Sequence, residues 1–136
     1  MNNSAHELQL RVYWEDTDAS GVVYHANYLK WAERGRTEWL RALGGEQQRW
    51  IVEAGIAFTV AEMTVRYRRP ARLDDRVLIK TELGVQRRAS LMFEQRVLLA
   101  DSGELLAQMS VKAGCVDVKT FRPRPLPEWF FSQNSD

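Results

Sequence analysis

At 136 residues the chain has room for one domain and is too short for two ordinary ones. Hydrophobic residues make up 45% and charged residues 27%, which excludes a disordered chain, because this much apolar surface can offset the entropy of ordering. Nineteen Lys and Arg against eighteen Asp and Glu leave a formal charge of +1, so no global field points to nucleic acid or a membrane surface.

One Cys allows no intrachain disulfide, and two His with one Cys cannot build an all-protein zinc site without carboxylates. The opening run Met1-Asn2-Asn3-Ser4-Ala5-His6-Glu7 lacks the basic start and apolar stretch of a signal peptide. No segment approaches the roughly 18 apolar residues of a membrane span. The expectation is a cytoplasmic single domain over residues 1–136, with neither metal nor cofactor. Its core covers about 7–120, and a Pro-rich, aromatic tail covers 121–136.

From Glu7 to Trp14, Leu8, Leu10, Val12 and Trp14 alternate with polar residues, which predicts a strand with one buried face. Glu15 to Gly21 breaks the alternation with Asp, Thr, Ser and Gly and reads as a loop. From Tyr28 the period changes: Tyr28, Ala32, Gly35, Trp39 and Ala42 fall at helical steps. Asn27 is the expected N-cap and Gly44-Gly45 the stop of a helix of about 16 residues, roughly 24 Å long. Gly35 weakens such a helix by about 1 kcal/mol, so close packing against a sheet is the expected compensation.

Glu46 to Gly55 reads as a short irregular helical segment. Period two then returns. Ala57, Ala61, Met63, Val65 and Tyr67 lie on one face of a strand; Val77, Ile79, Thr81 and Leu83 on the next; then Leu91, Phe93, Val97 and Leu99; then Leu105, Ala107, Met109, Val111, Ala113 and Cys115. Residues near Pro70 and at Asp101-Ser102-Gly103 mark turns. The tail Arg122-Pro123-Arg124-Pro125-Leu126-Pro127 cannot enter a sheet interior, because Pro lacks the donor.

These elements predict an α+β domain in which one long helix covers one face of an antiparallel sheet. Leu78, Met92, Leu98, Leu106 and Val116 make the opposite face half apolar. Such a face, with long free-edged strands, predicts a homo-oligomer, with a dimer of dimers preferred.

The segment from Trp14 to Tyr28 carries three carboxylates and His25 between a strand and a helix start. Helix N-termini present unpaired amide donors suited to a developing oxyanion, and a carboxylate one loop away can serve as base or nucleophile. Other readings compete. Asp16, Asp18, Ser20 and Gly21 match the opening of a calcium loop, but the twelfth position is Asn27 instead of a bidentate Glu. The acids also serve as turn formers, and a lone His is often simply packed.

The same residues resemble the 4-hydroxybenzoyl-CoA thioesterase family of hotdog-fold proteins, most closely its tol–pal system-associated acyl-CoA thioesterase branch. The likeness is carried by residues 11–18 (Arg-Val-Tyr-Trp-Glu-Asp-Thr-Asp), 21–28 (Gly-Val-Val-Tyr-His-Ala-Asn-Tyr) and 33–38 (Glu-Arg-Gly-Arg-Thr-Glu). A second block comprises Met63-Thr64-Val65-Arg66-Tyr67 and Pro70-Ala71-Arg72-Leu73-Asp74-Asp75. It runs from about Leu10 to about Pro127. The resemblance implies a hotdog fold, a five-stranded antiparallel sheet wrapped around one long helix. It implies an acyl-CoA thioesterase, with acyl-CoA or an acyl-carrier protein delivering the substrate. Asp18 is then the catalytic acid, and the amide near His25 polarises the thioester carbonyl. Trp14 and Ser20 depart from the family pattern and are expected to leave Asp18 undisturbed. The alternative is a non-catalytic acyl-binding or interaction subunit associated with the cell-envelope tol–pal system.

Arg66, Arg68, Arg69, Arg72 and Arg76 cluster near Pro70, and Arg87-Arg88 stand at another turn. They read as solvated surface, some of them suited to CoA phosphates. A nucleic-acid role is disfavoured by the near-neutral charge. Cys115 reads as a buried thiol, and Ser20 lies in no Gly-x-Ser-x-Gly elbow. Glu62 is a reserve acid. Trp129-Phe130-Phe131 are expected to pack across the sheet.

Overall fold

A computed structural model describes residues 5–128. The order is β1 (His6–Arg11), α1 (Asn27–Ala42), α2 (Gln47–Arg49), β2 (Ile56–Tyr67), β3 (Arg76–Gln86), β4 (Ser90–Leu99) and β5 (Leu105–Asp117). The five strands form one antiparallel sheet in the order β1-β3-β4-β5-β2, so β2 crosses to the edge opposite β1. The five-stranded antiparallel sheet is as expected. The long helix is joined by a short second one, α2, which runs into a π-helical turn over Trp50–Ala54.

Helix α1 lies on β1, β3 and β4. Its buried stripe, Tyr28, Trp31, Ala32, Gly35 and Trp39, meets Val77, Ile79, Phe93, Val97, Met109 and Val111 in one core. A polar cluster sits inside it. Gln95, 1% exposed, donates from Nε2 to the carbonyl of Ala32 and to Thr81 Oγ1, both at 2.9 Å. Arg36 Nη1 donates to Gln95 Oε1 at 3.0 Å, so the buried amide has partners on both ends. Burial lowers the pKa of the Arg36 guanidinium.

Several expected details change. The first strand ends at Arg11 instead of Trp14, and a 3-10 turn follows over Trp14–Asp16. Trp14, expected inward, is 79% exposed. Asn27 opens the helix instead of capping it; Ala26 holds the cap position. In β2 a bulge between Val60 and Glu62 breaks the register with β5. Phe58 and Val60 oppose Cys115 and Ala113 before it, and Met63, Val65 and Tyr67 oppose Val111, Met109 and Ala107 after it. The extra residue shifts the alternation by one, so Ala57 and Ala61 do not share the face of Met63. A second irregularity pairs Leu98 with Leu105, and Leu106 joins the core instead of the outer face.

The tail returns to the sheet end. Asp117 and Arg124 N–H groups donate to Arg122 and Cys115 carbonyls, Pro123 bridges Val116, and Leu126 is buried. Both prolines in this stretch fall where no sheet N–H is needed. Trp129, Phe130 and Phe131 lie outside the described residues. Among the described residues no helix is long and apolar enough to cross a membrane.

Candidate active site

The loop between β1 and α1 is built around Asp16. Its Oδ2 accepts the Tyr13 N–H at 2.8 Å and its Oδ1 accepts the Asn27 side-chain amide at 2.7 Å. Its carbonyl accepts the Tyr24 N–H at 2.8 Å. This part-buried carboxylate thus ties the start of the 3-10 turn that follows β1 to the first residue of α1. That is why Asn27, expected as a cap, points back into the loop instead.

Beyond Asp16 the chain makes a small antiparallel bridge, Thr17 to Val23. The Asp18 N–H donates to the Val22 carbonyl at 3.0 Å, and the Gly21 N–H donates to the Asp18 carbonyl at 2.9 Å. Gly21 closes this turn at φ 86°, a left-handed conformation that a side chain would strain. Val23 N–H donates to Ala71 O at 2.9 Å, which pins the loop to the turn after β2.

Asp18 stands on this loop with its side chain in solvent. Its Oδ1 accepts both the hydroxyl and the N–H of Ser20, the latter at 2.9 Å. Those two bonds, the hydroxyl first, hold the carboxyl below the usual Asp range, and His25 is near enough to add a smaller electrostatic push the same way. Among the described residues no protein donor reaches Oδ2. Ser20, expected to be neutral toward Asp18, is its principal partner.

Helix α1 begins opposite. The Asn27 N–H is occupied by Tyr24 O at 2.9 Å, and the Tyr28 N–H reaches His25 O at 3.4 Å. Among the described residues the amides of His25 and Ala26 meet no protein acceptor, so the turn before the helix offers two unpaired donors. The His25 ring is exposed, tilted on Tyr24 at 4.6 Å between centroids and edge-on to Tyr67 at 6.2 Å.

Beside this turn lies a cleft of about 240 Å³ lined by Val23, His25, Tyr28, Tyr67, Arg68, Arg69 and Pro70. Its walls are mainly apolar, with two guanidiniums at the rim. Arg69 Nε is paired with Glu104 at 2.6 Å, whereas Arg68 makes one long bond, 3.5 Å, to Gln108. The structure therefore brings His25 to the cleft with Arg68 and Arg69, and Asp18 to the loop alongside. Asp18 itself is not among the lining residues. It separates the other arginines: Arg66 lines a polar groove on the outer sheet face with Glu82, Glu94 and Arg96, and Arg76 reaches Asp101. Glu62 sits across from Lys112 on β2, outside the cleft. Cys115 is buried, which pushes its thiol pKa up.

Two contributors were not legible in sequence. Tyr67 read only as an apolar-face residue, yet its hydroxyl donates to the carbonyl of His25 at 2.9 Å. Asp16 read as one of three equivalent acids, yet it is the one whose oxygens are both committed to the loop.

An exposed carboxylate on the same loop as unpaired helix-start amides, on an α-backed antiparallel sheet, is an arrangement able to support hydrolysis of an activated carbonyl. Residues 12–133 match the family model of the thioesterase-like superfamily, and the chain belongs to that family. It is 47% identical over 128 residues to an Escherichia coli protein named acyl-CoA thioester hydrolase YbgC, covering 94% of each chain. It is 40% identical over 128 residues to acyl-CoA thioesterase YbgC of Haemophilus influenzae, covering 94% of this chain and 93% of that one. Among solved structures, a probable thioesterase from Bartonella henselae matches with a TM-score of 0.80 at 38% identity, covering 92% of this chain and 100% of that one.

Proposed function

We propose that the chain is an acyl-CoA thioesterase, hydrolysing an acyl-CoA to a free acid and CoA with Asp18 as the catalytic carboxylate. The observation that carries the assignment is the pairing of two features. Asp18 is exposed and its carboxyl is held below the usual Asp range by Ser20, and the adjacent turn leaves the His25 and Ala26 amides unpaired. A thioester carbonyl oxygen resting on those amides gains stabilisation as its negative charge develops. Asp18 then either attacks the carbonyl carbon, giving an anhydride that water opens, or takes a proton from an attacking water. Both routes add one water, break the carbon–sulfur bond and release CoA as the thiol. His25 contributes through its backbone and by flanking the cleft.

Arg68 supports the CoA assignment, since its guanidinium stands at the cleft rim without a carboxylate partner among the described residues. The resemblance of residues 11–18, 21–28 and 33–38 to the tol–pal system-associated branch supports placing the chain there. A CoA ester substrate and a single buried thiol suit a cytoplasmic setting. Among the described residues strand β2 pairs only with β5 and leaves Val60 and Tyr67 half exposed at the sheet edge, which supports a dimer across that edge. The outer face carries Lys80, Arg96 and Arg66 alongside Glu82 and Glu94, a mixture able to pair with a rotated copy in a dimer of dimers. Light scattering at micromolar protein reads the assembly directly; a monomer there overturns it.

Thiol release from a panel of acyl-CoAs tests the activity. Asp18→Asn is expected to abolish turnover while CoA binding stays near that of the parent. Undiminished turnover overturns the catalytic assignment, and binding without turnover in the parent chain makes it an acyl-binding subunit. Single turnover in oxygen-18 water, with mass analysis of the Asp18 peptide, separates nucleophile from base: label enters the carboxylate only by the anhydride route.

A further inference from the structure

The Tyr67 hydroxyl lies on the rear side of the peptide unit that carries one of the two unpaired amides. A trans peptide is planar, with C=O and N–H pointing in opposite directions. The carbonyl of His25 and the N–H of Ala26 belong to one such plane. A donor held on that carbonyl therefore fixes the direction of that N–H. It also draws electron density toward the oxygen and makes the N–H a stronger donor, as in any hydrogen-bonded chain.

Tyr67 is such a donor. Its hydroxyl reaches His25 O at 2.9 Å, while the competing in-helix bond from Tyr28 N–H to the same oxygen is long, at 3.4 Å. Its ring is fixed by edge contacts with Tyr28, 5.4 Å between centroids, and with His25, 6.2 Å. Tyr28 is itself anchored, since its hydroxyl accepts the Ala71 N–H at 2.9 Å. The strand that carries Tyr67 is distant in sequence from the helix start, so this bond lets the sheet act directly on the orientation of the amide. We infer that Tyr67 is a positioning residue for the thioester reaction: its hydroxyl aims and polarises the Ala26 N–H that receives the carbonyl oxygen.

This inference rests on the thioesterase reading above. It predicts that Tyr67→Phe, which keeps the ring and removes only the donor, lowers kcat about tenfold. That is less than the 10²–10³ lost when an oxyanion donor itself is deleted, because the amide remains but is less well held. KM is expected to stay within about twofold, and the acid limb of the pH profile, set by Asp18, to stay in place. Melting temperature measured alongside shows whether the variant folds as the parent does. Incorporation of 3-fluorotyrosine at position 67, which retains a donor, is expected to restore the rate. Unchanged kcat in Tyr67→Phe, or a loss shared by kcat, KM and melting temperature alike, overturns the inference. Neither result touches the thioesterase reading, which fails instead if Asp18→Asn keeps its turnover.

Discussion

At Gly35 α1 packs close against the sheet, and replacing this residue by Ala opposes two effects of known size. The helix gains about 1 kcal/mol from the better propensity of Ala. The added Cβ, however, would stand 2.8 Å from Ile79 Cγ2, 2.8 Å from Thr81 Oγ1 and 3.1 Å from Gln95 Nε2. Ile79 and Thr81 are fully buried and β-branched, hence stiff at χ1, and cannot swing aside. Overpacking of that kind costs about 1–3 kcal/mol. If Gln95 yields instead, its bonds to Ala32 O and Thr81 Oγ1 break, leaving buried polar atoms unpaired at about 1–3 kcal/mol more. With the propensity gain subtracted, the net expectation for Gly35→Ala is a destabilisation of about 1–5 kcal/mol. For a chain of this length that lowers the melting temperature by roughly 3–20 °C. Urea denaturation at one fixed protein concentration measures it, since association would otherwise shift the midpoint. A midpoint equal to or above that of the parent would show that the helix does not lie this close to the sheet and refute the packing argument.

Ser20→Ala removes the larger of the two bonds that depress the Asp18 pKa. A depressed carboxyl stays ionised below the ordinary value near ~3.9, so activity that needs the carboxylate is lost only as pH falls through the lowered value. The variant is expected to move the acid limb of kcat/KM to higher pH, and a shift to lower pH contradicts the role given to Ser20. Arg68→Ala is expected to raise KM for acyl-CoA several-fold and flatten its dependence on ionic strength, read from KM at 50 and 300 mM salt in both proteins; an unaltered salt dependence removes Arg68 from phosphate recognition. Cys115 is expected to resist thiol reagents in the native protein and to react once denaturant exposes it, because burial disfavours the thiolate. Rapid native labelling would place that side chain at the surface.

The alternation of Val77, Ile79, Thr81 and Leu83, and of Ala107, Met109, Val111, Ala113 and Cys115, was readable because one face of each strand is turned into the core. It failed in β2, where a single bulged residue changes which positions share a face, and no residue type there announces the bulge. It failed at Trp14 because the chain leaves the sheet at Arg11 for a 3-10 turn held by Asp16. Gln95 was passed over in a buried run because its partners, Ala32 O, Thr81 and Arg36, come from other elements. Asp18 and His25 could be picked out as candidates because they lie within one loop. Tyr67 was not, since its meaning depends on the sheet bringing residue 67 beside residue 25.

The Asp16 carboxylate, by grasping Tyr13 on one side and Asn27 on the other, makes the span from β1 to α1 a self-bracing unit. The Asp18 carboxylate and the unpaired His25 and Ala26 amides therefore share one short stretch of chain whose internal spacing does not depend on how wide the neighbouring cleft is. Cleft residues that make no bond to this stretch, such as Arg68 and Pro70, are the ones open to exchange in retuning which acyl group is accepted, while the Asp18 carboxylate and the two amides keep their mutual spacing.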